Sequence, residues 1–106
     1  MNRIVIRSIN PTRQNLDSAV ALILAYKNLR LSTTITGPNP AVLIDVILDV
    51  GRVGFILTII LQTQAHPILI IASNGDITVE DDGITLKITA YNDQKQQISY
   101  TFTPIP

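Results

Sequence analysis

The chain has 106 residues, eight Lys and Arg against eight Asp and Glu, one histidine and no cysteine. One domain spanning residues 1–106 is the expected count at this length. Zero net charge removes bulk attraction to nucleic acid or an anionic membrane, and the lack of cysteine removes disulfides, thiol catalysis and thiolate metal sites.

Ile, Val and Thr make up 36 residues, which favours strands because β-branched side chains fit a pleated surface. Charged residues are only 15% of the chain, against about 25% in ordinary globular proteins. So little polar surface implies either an unusually well-buried chain or, the favoured reading, apolar surface covered by other subunits. The charges are also segregated. Residues 1–30 carry a balance of +4 and residues 31–106 a balance of −4. Opposite charges can then meet within one fold or between neighbouring copies.

In chain order, Ile4-Val5-Ile6 reads as a short strand ended by Asn10-Pro11. Leu16–Arg30 supports two readings. Asp17 or Ser18 could cap a helix rich in Ala19, Ala21 and Ala25. Alternatively Val20, Leu22, Leu24 and Tyr26 alternate with alanines along a strand, and the strongly β character of the remainder favours this second reading. Leu31–Thr36 alternates as a strand, and Gly37-Pro38-Asn39-Pro40 breaks it. Ala41–Val50 follows as a strand. Asp45 and Asp49 lie on one face, where they keep it soluble, and Val42, Ile44, Val46, Leu48 and Val50 form an apolar row opposite. Gly51-Arg52-Val53-Gly54 is expected to turn.

Val53–Leu61 and Ile68–Ala72 are two apolar runs around the polar break QTQAHP, which also argues against a membrane span. The start of the chain is too short in apolar residues for a signal peptide. Ile77 and Val79 alternate with Thr78 and Glu80, Asp81-Asp82-Gly83 turns the chain, and Ile84, Leu86 and Ile88 face one way. After the polar stretch Tyr91–Gln97, Ile98, Tyr100 and Phe102 alternate in a last strand closed by Pro104-Ile105-Pro106. The fold class is mainly β, an antiparallel β-sandwich of about seven or eight short strands, with an α+β arrangement carrying one helix at about 16–30 as the alternative.

No catalytic constellation stands out. His66 has no second imidazole or thiol to share a metal. The five serines lack a nucleophile elbow, and no glycine-rich phosphate loop exists. Asp76, Glu80, Asp81 and Asp82 lack calcium-loop spacing and read as solvated turn charges. Asp45 and Asp49, about 13 Å apart along a strand, are too distant for paired acid–base work. No cofactor, metal or catalytic residue is therefore expected, and the chain does not read as an enzyme.

The stretch SNGDITVEDDGITLKITAYND resembles the immunoglobulin-like β-sandwich domains of accessory virion proteins in tailed phages, of the head-decoration and baseplate type, over about residues 68–103. The resemblance implies a non-enzymatic module assembled in many copies in the virion, as capsid cement or as a tail or baseplate component. Its partners would be further copies of itself and other virion proteins, not nucleic acid or membrane. Exposed turns and termini supply the contact residues expected for it: Arg3, Arg7, Arg13, Pro38, Pro40, Tyr91, Pro104 and Pro106. The alternative function is a small module binding carbohydrate or peptide through loops 37–40 and 91–97.

Overall fold

Leu16, Ala19, Ile23 and Tyr26 are buried and succeed one another at intervals of three and four, which is the stripe of a helix rather than the alternation of a strand. A computed structural model describes the backbone of residues 4–8 and 13–106 and the side chains from Leu16 onward. It forms helix α1 over Arg13–Leu24, correcting the strand reading of this segment. Asp17 and Ser18 lie inside the helix and not at its cap. Past α1 the chain winds on through backbone bonds to Lys27 and stops at Asn28, whose φ of 67° is the left-handed conformation that asparagine tolerates.

Among the described residues, eight strands form one antiparallel sheet: β1 (Ile4–Ser8), β2 (Arg30–Thr36), β3 (Ala41–Val53), β4 (Ile56–Leu61), β5 (Ile68–Ile71), β6 (Ile77–Asp81), β7 (Leu86–Tyr91) and β8 (Gln97–Pro104). Their spatial order is β1-β6-β7-β8-β2-β3-β4-β5, and the mainly β, antiparallel architecture is as expected. β3 is longer than expected. It runs through Gly51 to Val53, and the turn falls at Gly54, where φ is 60°.

The length of β3 lets it serve two layers. Residues 41–46 pair with β2, and residues 47–53 pair with β4. Between Ile47 and Asp49 the register slips, leaving Leu48 as the extra residue of a bulge. Bulges bend strands and let them pass from one layer to another. The sheet therefore folds at β3, and its far end with α1 forms a second layer over the first, sandwich-like in section. The smallest dimension, 21 Å, fits two layers packed about 10 Å apart.

The core lies between these layers. Val79, Leu86, Ile88, Phe102 and Leu31 enter from one side, and Ile47, Leu57, Ile59, Ile70 and Ile23 from the other. Ile77 and Val79 are buried together as their alternation predicts. Ile84 does not join Leu86 and Ile88; it precedes β7, in the turn, and is exposed.

Candidate functional site

The bulge at Leu48 reverses the expected faces of β3. Asp45 is turned inward and only 3% exposed, whereas Asp49, beyond the bulge, lies on the outer surface. The two carboxylates do not share a face. Asp45 accepts the Val46 N–H at 2.8 Å, the Thr63 N–H at 3.1 Å and the Thr63 hydroxyl. Burial pushes its carboxyl up, but these donors, together with Gln64, outweigh burial and hold it below the ordinary carboxylate range. Its work is structural, pinning the loop after β4 to β3.

The apolar row opposite Asp45 faces solvent along its first half. Val42 is 77% exposed and Ile44 53% exposed, and Leu48, Ile60 and Leu69 continue the exposed apolar surface across the outer side of β3–β5. Asp49 is the one charged side chain on the outer face of these three strands.

A second surface lies at the β2–β3 and β7–β8 turns. A recess of about 240 Å³ is lined by Leu69, Ile71, Asn74, Tyr91, Asn92 and Tyr100. It adjoins one of about 260 Å³ lined by Thr36, Pro38, Asn39, Ile68 and Ile98. The fold thus brings loops 37–40 and 91–97 to one place. The Asn92 carboxamide is engaged within its own turn, its oxygen accepting the Gln94 and Gln96 N–H groups and its nitrogen donating to Gln96. Tyr91 is half-buried, its ring against Gly75, where a Cβ would come within 2.7 Å of it. The Tyr100 phenol is pushed up by burial.

The other expected contact residues are dispersed. Pro40 is exposed just before β3. Pro104 sits opposite Leu31, at the far end of β8 from the Tyr91 turn, and Pro106 is exposed beyond it. Arg3 lies outside the described residues. Arg7 falls in β1 and Arg13 begins α1, with side chains outside those described.

The acidic turn is built from its own carboxylates. Asp81 accepts the Gly83 N–H, and Asp82 accepts those of Ile84 and Thr85. Asp81 also accepts the Tyr26 hydroxyl at 2.8 Å, tying the segment after α1 to this hairpin. Among the described residues no group of three or more His, Cys, Asp or Glu gathers as metal ligands would, and no helix is long and apolar enough to cross a membrane. His66 is exposed in the loop before β5.

Sequence reasoning missed three of these features: the inward Asp45, the outward Val42 and Ile44, and the contact of Tyr26 with Asp81. The 16-19-23-26 spacing carried the signal for Tyr26. Nothing local marks the bulge that inverts β3. No protein-family model, curated protein or solved structure matches the chain.

Proposed function

We propose that the chain is a non-enzymatic structural protein of a virus particle, a capsid decoration or a tail or baseplate component, working in multiple copies in the virion. The observation that carries this reading is the exposed apolar surface on β3–β5, where Val42, Ile44, Ile60 and Leu69 face outward around a single charge. Apolar patches of this kind on a small protein mark contact surfaces. The viral setting comes from the immunoglobulin-like resemblance, which falls on β5 to β8. Its contacts are with copies of itself and with other virion proteins. Nucleic acid and membrane are not among its partners, and the neutral charge supports that.

The test is the molar mass of the purified chain by light scattering over a dilution series, with a search for its peptides in purified virus particles. Self-association together with particle-borne peptides is the expected result. A monomer at every concentration, absent from particles, overturns the proposal.

A second reading is a module that binds carbohydrate or peptide at the recess shared by loops 37–40 and 91–97. The meeting of Pro38, Asn39, Asn92 and Tyr100 there favours it. Titration of glycan and peptide panels, followed by amide shifts, tests it. Shifts confined to these loops and abolished by Tyr91→Ala support it, and silence there removes it.

A further inference from the structure

We propose that the first half of β3 is a self-pairing edge, through which two copies of this chain join their sheets about a two-fold axis centred on Leu43. The inference names the contact behind the multi-copy reading above, and rests on it.

β3 has one strand partner at a time along its length. Ala41–Val46 pairs with β2, but β4 takes up pairing only from Ile47. Along the β4 side of residues 41–46 no strand lies among the described residues. The direction of the backbone groups there follows from one bond. Gln62 N–H donates to the Val46 carbonyl at 2.9 Å, so Val46 points its main-chain groups away from β2. Strand residues two apart point alike. Ile44 and Val42 therefore present their N–H and C=O groups along the open edge, while Leu43 and Asp45 bond to β2.

A strand supplying the complementary row must be extended and antiparallel or parallel to this one, and the sequence selects a second copy in one register. Val46 is already occupied, its carbonyl by Gln62 and its N–H by the Asp45 carboxylate. Pro40 has no N–H to give. The register that uses both open residues, and neither occupied one, sets Val42 against Ile44 of the other copy, with Leu43 on the axis. Each facing pair then exchanges both N–H···O bonds, and the same patch serves both copies as a two-fold contact requires.

Side chains agree with this pairing. Val42 and Ile44, exposed on the outer face, would meet Ile44 and Val42 of the second copy as cross-strand neighbours. Charge does not oppose it. From Gly37 to Ile44 there is no charged residue, and the Asp45 carboxylate is turned inward. Lysines, which commonly protect edges, are absent from this strand. The β5 edge is a poorer candidate, because its residues line the recess against Tyr91 and Tyr100. A strand of this length spans roughly 17 Å, so the contact belongs to the small, weak class below about 1,200 Å². It gains strength when many copies are held together on one assembly.

Amide hydrogen exchange of the full chain at several concentrations tests it. The Val42 and Ile44 amides are expected to exchange rapidly in dilute solution and to become protected as concentration rises, while Leu43 stays protected throughout. Val42→Pro removes one edge N–H that β2 does not use, and Val42→Lys adds a charge at a solvent-facing position. Both are expected to weaken self-association by about tenfold or more in light scattering. Assemblies that persist unchanged in both variants, with no concentration-dependent protection at Val42 and Ile44, overturn this contact and leave the multi-copy reading standing. A wild-type chain that is monomeric at every concentration overturns this contact, and overturns the multi-copy reading as well when its peptides are absent from particles.

Discussion

Asp45 shows how a single side chain can be read correctly for its chemistry and wrongly for its place. An aspartate in a strand of Val, Leu and Ile is the natural candidate for the wet face, and only the slip at Leu48 sends it inward. Once buried it must be satisfied, and Thr63 and Val46 satisfy it. Its folded-state pKa lies below that of the unfolded chain. The stability it contributes is thus fully present above the ordinary carboxylate range and is lost as pH falls through the depressed value. Asp45→Asn is expected to cost about 1.5–3 kcal/mol at neutral pH, the range for hydrogen bonds to a charged group, and to flatten the acid limb of a urea-denaturation series. Gly75 is the other position where one atom decides. With φ at 156° and the Tyr91 ring 2.7 Å from any added Cβ, Gly75→Ala must shift the ring or the turn. A loss of about 1–3 kcal/mol, measured by thermal unfolding, is expected.

At the scale of elements, α1 is held by its buried stripe more than by its charges. The Arg52–Asp17 pair is short at 2.7 Å, but Asp17 is 61% exposed. Asp17→Asn is expected to cost at most about 1 kcal/mol, against about 2–5 kcal/mol for Ile23→Ala in the core. Chemical denaturation of the two variants separates them, and equal costs would show that the ion pair docks the helix. Tyr26 closes the segment beyond α1. Burial, then the Asp81 carboxylate at its hydroxyl, pushes its phenol well above the usual tyrosine range, and burial pushes Tyr100 up too. Tyr26 and Tyr100 are expected to resist ionisation in an alkaline absorbance titration. The stability that Tyr26 gives is present below the unfolded phenol's range and fades as pH rises through the raised value. The strands β6 to β8 were legible because their alternation and turn residues agree with their burial. α1 was not, because Val20, Leu22 and Leu24 imitate a strand, and the packing that chooses Leu16, Ala19 and Ile23 instead lies in distant segments.

For the whole molecule, composition foretold the mainly β class and the shortage of surface charge, and exposed Val42 and Ile44 show where that shortage falls. It did not foretell that the layers share a strand, since Val, Leu and Ile on both faces of β3 hide the change of phase that a bulge makes. The recess of loops 37–40 and 91–97 was legible only as two polar breaks, because their meeting depends on that same fold-back. The spatial order has a further consequence, for the route by which the chain finds this state. β2 to β5 are neighbours in sequence and in space, and so are β6 to β8; among the described strand pairings, only β8 against β2 and β1 against β6 join distant parts of the chain. Each meander can form from local turns, whereas the seam between β2 and β8 must wait for a long loop to close. Pulse-labelled exchange is then expected to find the β6–β7 and β3–β4 amides sheltered first and those of Leu31–Thr36 facing β8 last. The slowest moments in the life of this sheet would be the closing of its two long seams, β2 on β8 and β1 on β6.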